Sequence, residues 1–156
     1  MQMRLRHSNV TREQELTMNI KTYAELSSIS SFEKRFEYLK LTGTVGKETF
    51  GFKRWINQEF YHSKKWLYFR DQIIIRDNGC DLGIPGRSIY GPVYIHHLNP
   101  ITYEDILEQR PCVYDPENTI CTSSRTHNAI HYGDSNLLLL SPVERVVNDT
   151  CPWKNI

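Results

Sequence analysis

The spacing of four histidines constrains this chain more than any other feature. His96 and His97 are adjacent, His127 and His131 stand four residues apart, and Asn118 lies nine residues before His127. Side chains four apart on a helix project from one face, so His127 and His131 can share one ligand if their stretch is helical. The flanking residues predict that helix. Thr122, Ser123 and Ser124 offer N-cap oxygens, Ala129 favours helix, and Gly133 supplies a stop.

Upstream, Ser88 to His96 is β-branched and aromatic around Gly91-Pro92. That pattern predicts two short strands joined by a turn, with the histidine pair ending the second. Successive strand side chains point to opposite faces, so a regular strand cannot aim both His96 and His97 at one ion. One of them can complete a metal shell with His127 and His131, and the other is free to take a proton from water. Neutral imidazole suits both tasks, because its reference pKa of about 6.5 lies just below physiological pH.

These residues belong to longer stretches: Arg76-Asp77-Asn78-Gly79-Cys80, His96-His97-Leu98-Asn99-Pro100, Asp115-Pro116-Glu117-Asn118, Thr126-His127-Asn128-Ala129-Ile130-His131 and Asn148-Asp149-Thr150-Cys151-Pro152-Trp153. Together they resemble the phage-type HNH endonucleases of the ββα-metal (His-Me finger) superfamily, and the likeness reaches back to about Thr22. The resemblance implies an α+β fold whose core is a β-hairpin and a helix around one divalent ion, with a helical part packed on it. It places a helical part over about 21–76, the metal core over about 77–134 and a tail over 135–156, all in one nuclease domain. Residues 1–20, polar in composition, read as a loose arm before it.

The resemblance also implies roles. His96 becomes the first metal ligand, His97 the general base, Asn118 the residue that pins the loop beside the base, and His127 and His131 the ligands on the helix. Relatives with a single helix histidine leave His131 either on the ion or just behind it. The implied reaction is hydrolysis of a DNA phosphodiester, leaving a 5′-phosphate and a 3′-hydroxyl. Three imidazoles favour Zn, Ni, Co or Mn, while Mg is a harder ion that prefers oxygen; a phage enzyme can still work with Mg or Mn supplied by the cell. By resemblance the partners are DNA and phage terminase subunits, and the place of action is the host cytoplasm. Two other readings stand beside the nuclease: a DNA-binding or packaging accessory protein that keeps the fold and cuts poorly, and a structural zinc module.

The chain departs from one common version of the family, in which two C-x-x-C pairs hold a structural zinc. Cys80 would open the first pair, but Gly83 stands where its mate belongs, and Ser123 and Thr126 occupy the second pair's places. Cys112, Cys121 and Cys151 have no two-residue spacing among them, so no four-cysteine zinc is expected. Apolar packing must then hold the hairpin and the helix.

A length of 156 residues allows one domain with a real core and is tight for two. Hydrophobic content of 39% beside 24% charged residues is that of a soluble globular chain, and four cysteines without a framework fit a reducing cytosol. No signal peptide or membrane span is expected, since Arg4, Arg6 and Arg12 precede no apolar run and Leu137 to Leu140 is short.

The net charge of +1 hides an asymmetry: residues 1–76 carry 14 Lys and Arg against 8 Asp and Glu, and the remainder 5 against 10. The first half is therefore the better candidate for phosphate contact. Within it, Ser31 to Leu39 places Phe32, Phe36 and Leu39 on one stripe behind Ser30 or Ser31, with Gly43 beyond the end, which reads as a core-facing helix. Gly43-Thr44-Val45-Gly46 and Thr49-Phe50-Gly51 read as turns. From Lys53 to Trp66, basic residues alternate with aromatics, and such a stretch can track a nucleic-acid backbone while Trp55, Trp66 and Phe69 pack inward. Arg54, Lys64, Lys65, Arg70 and Arg125 are the candidate DNA contacts. Ser63 caps a predicted helix over 64–76 that runs into the Asp77-Asn78-Gly79 turn. One short helix is expected in the loop over 98–117, where Glu104 and Asp105 either cap it or approach the ion.

Overall fold

Hydroxyl side chains start most of the helices, as the sequence predicts. The computed structural model describes residues 20–41 and 54–138, with side chains in the second stretch from residue 58. Thr22 caps α1 (Tyr23–Ser28), Ser31 caps α2 (Phe32–Leu39), and Ser63 caps α4 (Lys64–Arg76), each accepting from the amide three residues on. α3 (Arg54–His62) precedes α4 directly. The strands are β1 (Val93–His97) and β2 (Thr119–Ser123), with α5 (Tyr103–Leu107) between them and α6 (Ser124–Tyr132) following β2. The architecture is thus mixed α+β, with one two-stranded antiparallel sheet among the described residues. No helix among these residues is long and apolar enough to cross a membrane.

The pairing of β1 corrects one expectation. Ser88 makes only an isolated bridge to Cys80, Gly91 turns the chain at φ 129°, and β1 begins after Pro92. Pro92 has no amide hydrogen for a ladder, so the upstream stretch does not form a hairpin with β1. The partner is β2, in a register that sets Tyr94 opposite Thr122, Ile95 opposite Cys121 and His96 opposite Ile120.

That register divides the interior in two. On one face of the sheet, Ile120 joins Leu26, Phe32, Phe36, Leu39, Ala129 and Ile130, so α1, α2 and α6 share a core. On the other, Cys121, Val93 and Ile95 join Phe60, Trp66, Phe69 and Ile73 from α3 and α4. The stripe of α2 is buried as read from the sequence, with Phe32, Phe36 and Leu39 at most 3% exposed. Asp77 caps the end of α4, and Asn78 and Gly79 turn the chain with φ near 53° and 61°.

Buried charges hold the elements in register. Arg35 donates to the carbonyls of Ile29, Leu82 and Ser27 at 2.6, 2.5 and 3.0 Å, which ties α2 to the turn at Asp81–Gly83. Asp77 accepts from the Cys121 amide at 2.9 Å while Arg76 donates to Pro116 O and Thr119 O, so the end of α4 is fastened to β2. Cys80 and Cys121 are buried and Cys112 partly buried, all as free thiols. The arm before residue 20, the Gly43–Gly51 turns, the Trp55 side chain and the tail from residue 139 lie outside the described residues.

Candidate metal centre

His96 leaves β1 on the α6 side, and His127 and His131 rise from one face of α6 to meet it. Ser123 and the αL residue Gly133 bound that helix where the sequence places its start and stop. The ring centroids lie 5.6 Å apart for His96 and His127, 5.1 Å for His96 and His131, and 4.4 Å for His127 and His131. One nitrogen from each ring falls within 4.8 Å of the other two, close enough for a single ion to draw together. Among the described residues this is the group of histidines, cysteines or carboxylates able to hold a metal.

The donor set is chemically ready for a cation. His96 is 4% exposed, and burial holds it well below the usual imidazole range, with any protonation of His127, His131 or His97, and the Lys21 charge, adding to the effect. Burial and His131 push His127 down to about 4, and burial also lowers His131. All three are neutral at physiological pH and have a lone pair to give.

His97 goes the other way. Its Nε2 lies 2.9 Å from the Val113 carbonyl, so that nitrogen carries the proton and Nδ1 keeps its lone pair. The ring stacks on Trp66 at 5.9 Å and 28°, and burial lowers its basicity while the Val113 bond offsets part of that. Strand alternation therefore divides the adjacent pair as the sequence predicts, with His96 in the triad and His97 outside it.

Asn118 locks the long loop between the strands. Its Oδ1 accepts from Asn99 N at 2.9 Å and from Asn99 Nδ2 at 2.8 Å, its Nδ2 donates to Cys112 O at 3.0 Å, and its carbonyl accepts from Leu98 N at 2.8 Å. Residues just past His97 and just before Val113 are thereby held by one side chain. Asp105 is occupied elsewhere: it completes a capping box with Thr102 and pairs with Arg110 at 2.9 Å.

The candidate DNA contacts do not gather at the triad. Lys64 and Lys65 are exposed at the start of α4, which packs on the His97 face of the sheet. Lys65 Nζ donates to Gln109 at 3.1 Å and lies 4.0 Å from the centre of the Tyr114 ring. Arg70 pairs with Asp71 at 3.4 Å, and Arg125 donates to Leu137 O at 3.2 Å. Arg54 opens α3, and its side chain lies outside the described residues.

Two residues near the centre carried no role in the sequence reading. Asn99 was visible as part of His97-Leu98-Asn99-Pro100 without its function, and Lys21 gave no signal because its bond to Asn99 spans 78 positions. No family model, no curated protein and no solved structure matches this chain.

Proposed function

We propose that the protein is a metal-dependent DNA endonuclease of the phage HNH type, with the β1, β2 and α6 elements as its ββα-metal core. The observation that carries this reading is the division of His96-His97. Three neutral imidazoles meet on one side of the strand, and a fourth, held by a backbone carbonyl, has one nitrogen left to accept a proton.

His96, His127 and His131 would hold the ion, which when bound supplies positive charge to a non-bridging phosphate oxygen and to the departing oxygen. His97 Nδ1 takes the proton from water, the water oxygen forms the new bond to phosphorus, and the bond to the 3′ oxygen breaks, that oxygen taking a proton from solvent to become the hydroxyl. Its hydrogen bond to Val113 fixes the tautomer this step requires, and its lowered basicity keeps the ring neutral at physiological pH. Asn118 keeps Val113 and the turn after His97 in place through Cys112 and Asn99, and so orients the base without touching it. The nitrogen ligands point to Zn, Ni or Mn as the ion, with Mg served less well.

Purified protein incubated with supercoiled plasmid and each of these ions tests the proposal, with chelator as control. Metal-dependent conversion to the nicked form is expected; intact plasmid with every ion contradicts it. The same reading makes terminase subunits partners in phage packaging inside the host cell, which a pull-down with those subunits checks.

One observation favours a second reading. The stacking of His97 on Trp66 suits a histidine that serves packing alone, and the protein would then be a DNA-binding accessory of the same fold with little cleavage. Binding without nicking is its signature.

A further inference from the structure

Tyr94 stands on the same side of β1 as His96, two positions before it. Val93 and Ile95 pack with α3 and α4, so strand alternation turns Tyr94 toward α6. There its ring meets the His127 ring, with centroids 5.3 Å apart and planes inclined at 31°. Thr122, buried opposite it in β2, donates its hydroxyl to the Tyr94 carbonyl at 3.3 Å and fixes the strand at this point. Even so, Tyr94 remains 44% exposed, and among the described residues no hydrogen bond holds its hydroxyl.

The other exposed tyrosines are placed differently. Tyr61 packs on Phe60 and Trp66, and Tyr68, Tyr90 and Tyr132 have no ring contact with the triad among the described residues. A tyrosine that only covered His127 would gain most by burying its ring, yet much of this one is left for another planar group. Bases in a duplex have both faces covered by their neighbours, whereas an unpaired base has a face free to stack. His127 takes one side of the Tyr94 ring, so the ring can receive such a base on the other but cannot slip between two stacked pairs.

We propose that Tyr94 stacks a nucleobase of single-stranded or locally unpaired DNA whose phosphate lies at the triad. The proposal rests on the reading that His96, His127 and His131 hold a metal and receive DNA phosphate, and it names the substrate class of that site. Supercoiled plasmid still serves, since supercoiling favours local unpairing.

Calorimetry of the nickel-loaded protein with thymidine 3′,5′-bisphosphate, and with the same bisphosphate lacking the base, measures the stacking without any cleavage. The wild type should prefer the thymidine compound by roughly fivefold or more, the worth of a base on an aromatic ring. Tyr94→Leu should bind both compounds alike, at the affinity of the baseless one, while Tyr94→Phe and Tyr94→Trp keep the preference. All three variants should bind nickel alone as the wild type does, which separates stacking from support of the His127 ring. A single-stranded oligonucleotide should be cut several-fold faster than its duplex, a difference that Tyr94→Leu loses. As a measurement on the wild type alone, 5-iododeoxyuridine 3′,5′-bisphosphate should photo-crosslink to Tyr94, mapped by mass spectrometry. A base preference that survives in Tyr94→Leu, loss of nickel binding in that variant, or crosslinks that miss Tyr94 overturns the proposal. Base preference that depends on Tyr94 without plasmid nicking would defeat only the nuclease reading, whereas nicking with no preference for the base would defeat only this one.

Discussion

Asp81 shows how much of the site's support falls on single side chains. Its carboxylate accepts from the Ser123 amide at 3.0 Å, the Ser123 hydroxyl at 2.9 Å and the Thr126 hydroxyl at 2.6 Å. A carboxylate and two hydroxyls thus join the turn at Asp81–Gly83 to the start of α6. Asp81→Ala leaves a largely buried amide and hydroxyl without their acceptor, so chemical denaturation should show a loss of about 2–3 kcal/mol. A loss under about 0.5 kcal/mol would mean that apolar packing alone holds the turn. Cys121 offers a chemical check on the same region. Burial, with Asp77 beside it, pushes its thiol up to about 12, so it stays protonated and unreactive at pH 8. Iodoacetamide should modify Cys112 while Cys121 reacts only after unfolding, as followed by mass spectrometry; rapid native alkylation of Cys121 would contradict the packing of β2 against α4.

Among the elements, α6 matters most, because it carries two of the three candidate ligands and ends at a residue that only glycine suits. Gly133 has φ 65°, and a Cβ there would press into the Leu41 carbonyl, whose own amide donates to Ile130 O at 3.0 Å. Gly133→Ala should cost at least about 1 kcal/mol in thermal or denaturant unfolding; no loss would mean that the contact with Leu41 yields freely. The start and stop of this helix were legible in the sequence, as were α2 and α4, because a cap and an apolar stripe are local signals. That one of the adjacent histidines joins the triad and the other does not was legible too, since strand alternation and the i, i+4 spacing require it, whereas naming His96 as that one needed the family resemblance. The partner of β1 was not. Gly91-Pro92 looks locally like a hairpin turn, and nothing between residues 98 and 118 advertises that β2 closes the sheet. The link from Lys21 to Asn99 was hidden for the same reason, because folding makes it and sequence neighbours do not.

For the molecule as a whole, the sheet separates two chemistries: the triad lies toward α6, and the basic start of α4 lies with His97 on the other side. If the lysines of α4 guide DNA through its backbone, Lys64→Ala with Lys65→Ala should weaken binding on all sequences and flatten the salt dependence by about 0.9 for each phosphate no longer neutralised. Unchanged affinity and slope would make them a solvated face. Metal should also stabilise the fold, by roughly 2.7 kcal/mol at a free concentration 100 times the dissociation constant, because the three imidazoles converge only in the folded chain. A melting temperature unmoved by any of Zn, Ni or Mn would deny the triad its role. The most direct test pairs calorimetric metal binding with plasmid nicking in His127→Ala and His97→Ala. We expect His127→Ala to lose metal affinity and cleavage together, and His97→Ala to bind metal as the wild type does while cleavage falls by roughly 100-fold or more. A His97→Ala protein that loses its metal, or one that cuts as fast as the wild type, would contradict the division of the histidine pair on which the account depends.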